Sequence, residues 1–560
     1  MRSDQQQAIN RLAGTSATAF LCAVLCVYPL YIDKFSNLGV TKFTGCFTLF
    51  LLFLLWLVAC TAIGARAPRP RNANAGRDVT LWGVLAFAGT SLISTFTSLS
   101  PTASTWGLGG YYGGLMLVLF TAAGYWAVRS YLDLENLDFV FWVLGITTSI
   151  VAVLYVLNIF NIDLIGAYAD TAVVERAQFF STLGQKDFNG CFFSVALPIV
   201  FYQFLNAKDT RTAVWTGIPA AFGALALAVV DSEALALGIG AAVMVLVCHK
   251  NFTTRHLRRA ALISAAFFGW AAWMHYMRAS VYTQGGTALL AKLGAWQVAL
   301  PCMAASLLLW LVLFVLARKG IAAQAPLYLP GRVITIAVLA VGALAFVLAN
   351  AMPNRPLPES LHNLLVFNDD WGTYRGVAWR AAFGTWADGS LLRKIVGIGP
   401  GMMHTAVAAW AGDAMTARMA TFYAAHNEYL EQLLTTGILG LTAWLLLVAA
   451  HLQRGERSWN TPGVAPVMLA LCSYLAQAVV SIRVSMVFPL VMLLFGALAA
   501  LTAPELPQPA APAPRSKKQQ KPEPLPPKNA WYFAKTVLAA VLCMAAASGI
   551  APLLFGFLMG

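Results

Sequence analysis

The amino-acid sequence predicts an all-α protein, a polytopic bundle of about 14–15 transmembrane helices with a large extracytoplasmic loop that contains short helices. Of its 560 residues, 59% are hydrophobic and only 11% are charged, whereas a soluble domain carries about 25% charged residues. Apolar runs of roughly 20 residues, the length that a helix needs to cross a hydrocarbon core of about 30 Å, recur along the whole chain. This composition and this repetition indicate an integral membrane protein.

The first predicted span follows a short polar segment, MRSDQQQAINRLAGTS, and has the length of a transmembrane helix rather than of the apolar core of a cleaved signal peptide. Of the further spans that hydropathy predicts, the eighth is the shortest. The complete set lies at 14–32, 44–64, 79–98, 113–128, 139–160, 188–206, 212–230, 234–248, 260–276, 297–316, 332–350, 430–450, 463–482, 485–502 and 532–556.

Basic residues between the spans predict the side of the membrane on which each connection lies. With a cytoplasmic N-terminus, the inner connections carry groups of lysine and arginine and the outer ones carry few, in agreement with the positive-inside rule. Two inner connections are especially basic, and they contain Arg66, Arg69, Arg71 and Arg77, and Lys250, Arg255, Arg258 and Arg259. Because these residues fall between apolar runs and not along one face, the net charge of +14 does not indicate a nucleic-acid partner.

Two connections on the predicted outer face are long, and long connections inside a compact fold are usually functional or disordered. Of these two connections, we call the shorter one, 161–187, the short loop and the longer one, 351–429, the long loop. Aromatic residues throughout both predict ordered structure. The chain then divides into a transmembrane bundle over 1–502, a Pro/Lys-rich cytoplasmic linker over 503–530 and an additional C-terminal transmembrane helix over 531–560. The lysines of the linker fit either contact with anionic membrane lipid or an inert extended spacer.

Motifs of soluble enzymes are absent from the sequence, which has no P-loop, nucleophile elbow, HExxH zinc motif or Rossmann fingerprint. Its nine cysteines form no CxxC pair and its seven histidines show no metal-ligand spacing. We therefore expect no disulfide framework, no metal and no other cofactor.

The long loop contains the candidate anion-binding arginines. From 373 to 388 its apolar and aromatic residues recur at helical spacing. This pattern predicts a helix on the membrane surface, with Arg375 and Arg380 toward water or a lipid headgroup.

Glycines follow this predicted helix in the sequence 397-GIGPG-401. They predict a tight turn in which Gly397 and Gly399 bring backbone N–H groups against a phosphate, or one that only returns the chain toward the membrane.

At the end of the long loop, the stretch 423-YAAHNEYLEQLLTTGILGL-441 places polar side chains beside the twelfth span. Apolar residues at helical spacing follow His426, so we expect this histidine at the outer end of a rigid helix. Imidazole is the side chain best suited to accept a proton near neutral pH, so His426 is either a general base or a structural histidine. Glu428 and Glu431 are close enough in sequence to orient the imidazole or to act in its place.

Taken together, these elements resemble the O-antigen ligase and O-antigen polymerase superfamily of bacterial membrane proteins. The resemblance consists of Arg375 four residues before Trp379, then the GxGPG turn, then 426-HNEYL-430 with a GxxG after it. In the short loop, 176-RAQFFSTLGQKDFNGCFFSVALPI-199 is similar to a family segment in which an arginine precedes a small-residue turn and a span that ends in Leu-Pro. The similarity covers about 110–500.

The resemblance implies transfer of a glycan from undecaprenyl diphosphate to an acceptor hydroxyl of a glycan or lipid, at the outer face of the bacterial cytoplasmic membrane and without metal or nucleotide. Arginines suit a diphosphate because they bind phosphate oxygens in a bidentate manner, and a histidine can remove the hydroxyl proton. This assigns His426 as the base, Arg375 and Arg176 as diphosphate ligands and Arg380 as the alternative ligand. Asn427 and Tyr429 would orient the base or the acceptor.

The sequence departs from the family pattern at two places. Many members have Ser-Arg at the outer start of a middle span, whereas this chain has 231-DSEALAL-237, with Glu233 in the place of the arginine. The turn of the short loop reads GQKDF where GNxN is common, and Lys186 within it is a candidate replacement for the missing cation.

Two other functions also fit a polytopic helical protein. A transporter of a small anion or glycan precursor should carry ionisable residues near the midplane of its spans, and the predicted spans contain almost none, which favours chemistry at the membrane surface. A non-catalytic scaffold of cell-envelope assembly is the third alternative, and the two departures from the family pattern are compatible with it.

Overall fold

A computed structural model describes residues 2–64, 78–108, 110–281, 283, 293–321, 323–352, 357, 359–410, 423–503 and 530–559. Regular structure within these ranges is helical, and the β-pairing consists of isolated bridges such as that between Phe180 and Gly184. Ten helices of the described chain are long and apolar enough to cross a membrane. The predicted all-α, multi-pass architecture is confirmed.

The helices, in chain order, have the following bounds. They are α1 (Arg2–Cys22), α2 (Leu38–Gly64), α3 (Val79–Phe96), α4 (Pro101–Trp106), α5 (Leu115–Tyr131), α6 (Leu137–Ile159), α7 (Lys186–Asn206), α8 (Thr210–Val229), α9 (Glu233–Cys248), α10 (Thr254–Ser280), α11 (Trp296–Arg318), α12 (Tyr328–Ala351), α13 (Glu359–Leu365), α14 (Trp371–Ala387), α15 (Leu391–Val396), α16 (403–410), α17 (Glu428–Arg457), α18 (Val464–Gln477), α19 (Phe488–Leu501) and α20 (Ala530–Met559). Short 3-10 turns lie at Tyr28–Leu30, Phe35–Asn37, Leu134–Asn136 and Val173–Gln178, and a π-helical turn lies at Ala23–Val27.

Each predicted span coincides with one of these helices. Three of them, α9, α18 and α19, are apolar but shorter than a full membrane crossing usually requires. The predicted linker falls almost wholly outside the described residues, and the additional C-terminal helix is α20, which packs against α1 and α2.

The main hydrophobic core lies where α3 packs on α17, α5 on α19, and α18 on both α7 and α9. Its largest fully buried side chain is Trp444 of α17. By contrast, α11 and α12 bury almost none of their apolar side chains completely, as helices at the lipid-facing edge of a bundle do.

Two transmembrane helices are interrupted, and each break is satisfied by polar groups of the protein. After α1 the chain passes through the π-helical and 3-10 turns, where the buried Lys42 donates to the carbonyls of Tyr28 and Pro29 at 3.0 and 2.9 Å. Within α17 the backbone departs from helical geometry at Gly437, which has a φ of +68°. The predicted rigid helix after His426 is therefore two helical segments in sequence.

At the start of α3, Asp78 joins three helices through buried charges. Its carboxylate accepts from Arg129 Nε at the end of α5 (3.0 Å) and from Arg454 Nη1 near the end of α17 (2.6 Å). A buried carboxylate shared by two guanidiniums is well compensated, whereas removal of a partner leaves an unpaired buried charge. This cluster fixes the ends of α3, α5 and α17 relative to one another.

Connections that the sequence assigns to one side of the membrane meet at one end of the bundle. Residues at or next to the starts of α7, α9, α14 and α17 surround a common cavity at one end. At the other end, a cavity of about 690 Å³ is lined by residues that include Asn206, Asp209, Asn251 and Asn460. The order of the helices in the bundle therefore agrees with the predicted alternation of the spans.

The long loop has a small hydrophobic core of its own. One face of α14, formed by Val377, Ala378, Ala381 and Ala382, packs against Met403 of α16 and Leu434 of α17. The helix predicted over 373–388 is thus present, and one of its faces packs against the loop and α17.

Candidate active site

A cavity of about 330 Å³ lies at the end of the bundle where the two loops meet. Its polar lining comes from segments far apart in sequence, which only the packing of α7, α9, α14 and α17 brings together. The described lining residues are Tyr111, Gln185, Lys186, Asp187, Asp231, Glu233, Gly372, Thr373, Arg375, His426, Ser481 and Ile482. Two of the predicted site residues, Arg375 and His426, therefore share one cavity.

Arg375 is a mostly buried guanidinium with unused hydrogen-bonding capacity. Its side chain is 11% exposed, and Nη1 donates to the carbonyl of Gly372 at 2.9 Å. Glu233 Oε2 lies 3.8 Å from Nη1, while the buried Nε has no hydrogen-bond partner within the described chain. Because a buried donor without a partner is costly, this geometry favours an anionic ligand in the cavity.

The backbone before Arg375 is strained. Gly372, Thr373 and Tyr374 have φ angles of +60°, +61° and +70°, so three consecutive residues lie in the left-handed region. For a residue with a side chain this conformation costs about 1–2 kcal/mol. Strain of this kind persists where the surrounding structure requires it, often at binding sites. Here it places Arg375 at the start of the regular part of α14, beside the cavity.

His426 is the other predicted residue in the cavity, and its backbone is also left-handed, with a φ of +50°. The neighbouring residues hold this conformation. Glu431 Oε2 accepts from the N–H of Ala425 at 2.7 Å, and the N–H of Glu428 donates to the carbonyl of Ala478 at 2.9 Å. The histidine is thus fixed from both sides by α17 and by the end of α18.

Burial and, to a smaller extent, the Arg375 guanidinium lower the pKa of His426 from its ordinary value of 6.5 to about 4, although Asp187 acts in the opposite direction. The imidazole is therefore neutral at pH 7. A neutral imidazole can accept a proton from a hydroxyl group, which is the protonation state that a general base requires.

Trp379 connects the two halves of the sequence motif. It lies one helical turn after Arg375, and its Nε1 donates to the carbonyl of His426 at 3.4 Å. The tryptophan of the RxxxW motif thus holds the backbone of the histidine while the arginine of the same motif lines the cavity.

Asn427 acts as the N-cap of α17. Its side-chain oxygen accepts from the N–H groups of Tyr429 and Leu430, each at 3.0 Å. Satisfying these first-turn donors is the usual role of asparagine at this position. The carbonyl oxygen of Asn427 is therefore occupied, and its side chain is absent from the described cavity lining. The expectation that Asn427 takes part in catalysis by orienting the base or the acceptor stays a prediction.

Tyr429, the other residue expected to orient the base or the acceptor, also bonds within the protein. Its hydroxyl donates to the carbonyl of Leu475 at 2.8 Å and so ties α17 to α18. The side chain is absent from the described cavity lining, and its role in this arrangement is packing.

Gly397 and Gly399 pack the glycine turn against the break in α17. The N–H of Gly399 donates to the carbonyl of Thr435 at 2.9 Å, and that of Gly397 donates to Arg393 at 2.8 Å. A Cβ on Gly397 would lie 2.2 Å from the Thr435 oxygen, so only glycine fits. Of the two alternatives that the sequence leaves open for this turn, these hydrogen bonds favour the one without a phosphate, because both N–H groups already have partners in the protein.

Arg380 and Arg176 lie outside the described lining of this cavity. Arg380 is 54% exposed and forms an ion pair with Asp369. Arg176 lies over the ring of Tyr168, 5.4 Å from its centroid, although the next two residues, Ala177 and Gln178, line an adjoining cavity. Of the three predicted arginines, the structure brings Arg375 to His426.

The adjoining cavity, of about 260 Å³, shares part of its wall with the first, namely Gln185, Lys186, Asp187 and Asp231. In the shared wall, Lys186 Nζ lies 3.5 Å from Asp231 Oδ2, and Ser232 donates to Asp187 at 3.1 Å. Arg278, from the end of α10, lines the far side, and its buried Nε has no hydrogen-bond partner in the described residues.

Arg483, which follows the cavity-lining residues Ser481 and Ile482 in sequence, forms a polar network inside the bundle. Its Nη2 donates to Gln432 at 2.8 Å, and its Nε lies 3.5 Å from Glu428, which also accepts from the hydroxyl of Tyr474 at 2.5 Å. Glu428 thus points away from the cavity lining, into the bundle. The network supports the segment of Ser481 and Ile482, which do line the cavity.

Sequence reasoning did not identify Arg278 or Arg483. Each lies at the end of a predicted span, where arginine is common as a topology determinant. Both ends are assigned to the outer face, however, after the spans 260–276 and 463–482, and an arginine there is against the positive-inside rule. These two exceptions were a usable signal.

Compared with known proteins, the chain matches no protein-family model, and no curated protein matches it. The family resemblance of the sequence therefore depends on the short motifs around Arg375 and His426 and on the segment 176–199.

Proposed function

We propose that this protein is a glycosyltransferase of the O-antigen ligase and O-antigen polymerase type. It would take a glycan from a polyprenyl diphosphate carrier and transfer it to an acceptor hydroxyl, at the outer face of the bacterial cytoplasmic membrane. The observation that carries the proposal is the pairing of a neutral imidazole, His426, with a buried and incompletely bonded guanidinium, Arg375, in one cavity.

In the proposed step, the acceptor oxygen forms a bond to the anomeric carbon of the sugar while the bond from that carbon to the diphosphate oxygen breaks. The hydroxyl proton moves to the imidazole of His426, and the bonding electrons leave with the diphosphate. This direct displacement inverts the anomeric carbon. The protein's task is to bind the charge of the leaving group and to remove one proton.

Arg375 supplies the first of these functions. Its unpartnered Nε–H and its Nη atoms are suited to a bidentate contact with phosphate oxygens. A bound diphosphate would also offset the positive charge that lowers the pKa of His426, so the imidazole becomes a stronger base when the donor is present. Donor binding and base strength are coupled through this pair.

Lys186 supplies a further cation where the family pattern is altered. It lies in the wall that both cavities share and is 50% exposed at its side chain, which leaves the ammonium free to turn from Asp231 to a substrate phosphate. Glu233, which stands where many family members have an arginine, lies beside Arg375 instead. Compared with the family pattern, Lys186 therefore keeps a cation in the site, and Glu233 adds a carboxylate that competes with the substrate.

The proposal is tested by deleting the gene and measuring surface polysaccharide and lipid-linked glycan after complementation. We expect His426→Ala and Arg375→Ala to leave lipid-linked glycan accumulated while both variants insert normally into the membrane. Arg380→Ala is the matched control, because this arginine is on the same helix but pairs with Asp369 outside the cavity. Normal polysaccharide with His426→Ala would remove the histidine from the reaction, and solute uptake that depends on the protein would support a transporter.

The proposed orientation has a separate test in whole cells. A membrane-impermeant maleimide should label Leu391→Cys, in the long loop, and should not label Thr461→Cys, in the connection at the opposite end of the bundle. Leu391 is 74% exposed, so accessibility does not limit the reaction. The opposite labelling pattern would place the cavity on the cytoplasmic side.

A further inference from the structure

A lateral groove lies between the additional helix α20 and the first two helices, and it shares no lining residue with the cavity of His426. Its volume is about 470 Å³, and its walls are almost entirely apolar. One end is formed by Phe20, Leu49 and Ala546, and the other, which we call the open end, by Ser16, Trp56 and Lys535. Because α1 and α20 run in the opposite direction to α2, residues early in α1 and α20 lie beside residues late in α2. The lining residues therefore form one continuous groove along the three helices.

The groove has the length of one membrane leaflet. From Lys535 to Ala546 the helix rises by about 16 Å at 1.5 Å per residue. Half of a hydrocarbon core of about 30 Å is close to this value. A groove of this length that begins at the surface and ends near the midplane accommodates one extended hydrocarbon chain.

The open end has the residues that usually lie at the level of lipid headgroups. Trp56 Nε1 donates to the hydroxyl of Ser16 at 2.9 Å, and Lys535 lies 5.1 Å from the ring centroid of Trp531. Tryptophan is enriched at the membrane interface, and lysine there attracts anionic lipid. Lys535 is the charged residue among the described groove-lining positions, so the open end is complementary to a negative headgroup.

We propose that this groove binds one anionic phospholipid from the surrounding leaflet, with an acyl chain between α1, α2 and α20 and its phosphate beside Lys535. The bound lipid fills the space that the packing of α20 leaves open and thereby attaches this helix to the bundle. The site is independent of the glycan-transfer proposal, because none of its residues belongs to the His426 cavity.

The test uses the full-length protein, purified in detergent with equimolar phosphatidylglycerol and phosphatidylcholine, and counts retained lipids by native mass spectrometry. Wild type should retain one phosphatidylglycerol. Ala539→Phe, which fills the groove wall, should weaken retention about tenfold. Lys535→Gln should reduce the preference for phosphatidylglycerol about fivefold, the equivalent of about 1 kcal/mol for one lysine near the membrane surface.

Leu538→Phe is the matched control, since Leu538 lies next to Ala539 in sequence but is 53% exposed and does not line the groove. It should retain lipid as wild type does. Equal retention by Ala539→Phe and wild type, equal retention of the two lipids by wild type, or a polyprenyl phosphate as the retained species would each overturn the proposal.

A second measurement avoids any variant that fails to fold. Cys543 is an exposed free thiol on the groove wall. In wild-type protein, phosphatidylglycerol should slow its alkylation by a small maleimide, located by peptide mass mapping, at least fivefold relative to phosphatidylcholine, the equivalent of about 1 kcal/mol. An alkylation rate that is the same with both lipids would contradict an anionic occupant.

Discussion

The indole Nε1 of Trp379 donates a hydrogen bond to the backbone carbonyl of His426, 3.4 Å away. The bond links two motifs that are 47 residues apart in sequence. The backbone of His426 is left-handed, and the hydrogen bond from Trp379 to its carbonyl helps to hold that conformation. The tryptophan is therefore a positioning residue for the imidazole.

Trp379→Phe should keep the packing of α14 and lose this hydrogen bond. We expect the transfer rate to fall about fivefold, the equivalent of about 1 kcal/mol for one hydrogen bond, with little change in KM for the donor. Initial rates with lipid-linked glycan in proteoliposomes measure both quantities. Trp386→Phe is the control, since Trp386 donates to Lys394 instead, and its rate should match wild type. Equal losses in the two variants would contradict a specific role for Trp379.

The buried imidazole predicts a dependence of stability on pH. The pKa of His426 is about 4 in the folded protein, below the ordinary value of 6.5, so the unfolded state binds a proton first as the pH falls. Stability from the neutral histidine is complete above pH 6.5 and decreases as the pH falls toward 4, by at most about 3 kcal/mol.

Thermal unfolding in detergent, measured between pH 7.5 and pH 4.5, tests this sign. His426→Asn is the suitable comparison, because asparagine tolerates a left-handed backbone and does not titrate. The wild-type Tm should fall more on acidification than that of the variant. Parallel Tm curves would show that His426 is not the group responsible.

The N-cap role of Asn427 makes a prediction that differs from a catalytic role. Asn427→Ala should destabilise the protein by about 1 kcal/mol and lower activity through disorder of the adjacent His426. Asn427→Asp and Asn427→Ser also cap helices and should restore both stability and most of the activity. Loss of activity in all three variants at normal stability would instead indicate that Asn427 takes part in the reaction.

Glu233 predicts a gain of affinity. Its carboxylate lies 3.8 Å from Arg375 Nη1 and is 62% exposed, so it competes only weakly with a substrate phosphate. Glu233→Gln should lower the KM for the lipid diphosphate donor about two- to fivefold, within the 0–1 kcal/mol of an exposed ion pair. The control is Glu175→Gln, in the short loop outside the described cavity lining, which should leave KM unchanged. A higher KM for Glu233→Gln would instead indicate that the carboxylate contacts the substrate.

The helices were predictable because apolar length is a property of local sequence. Each predicted span corresponds to a helix, including α9, which the short run 234–248 indicated. The proximity of Arg375 to His426 was predictable only from the motif resemblance, since nothing local places residues of α14 beside the start of α17.

The roles of individual polar residues were less predictable, because the same residue types serve the backbone and a ligand. Asn427 fits a helix cap as well as a reacting group, and only the hydrogen bonds to Tyr429 and Leu430 distinguish the two. Gly397 and Gly399 similarly fit a phosphate or a helix backbone. The break at Gly437, which exposes the carbonyls that they meet, has no separate signature in the sequence.

The interruption of α17 also bears on the order of assembly. Ile398 and Gly399 donate to the carbonyls of Leu434 and Thr435, which emerge later from the ribosome. These N–H groups lack their final partners until the following helix has been inserted. We therefore expect the long loop to complete its folding only after α17 has been inserted. In a nascent chain truncated before residue 434, this loop should remain sensitive to protease.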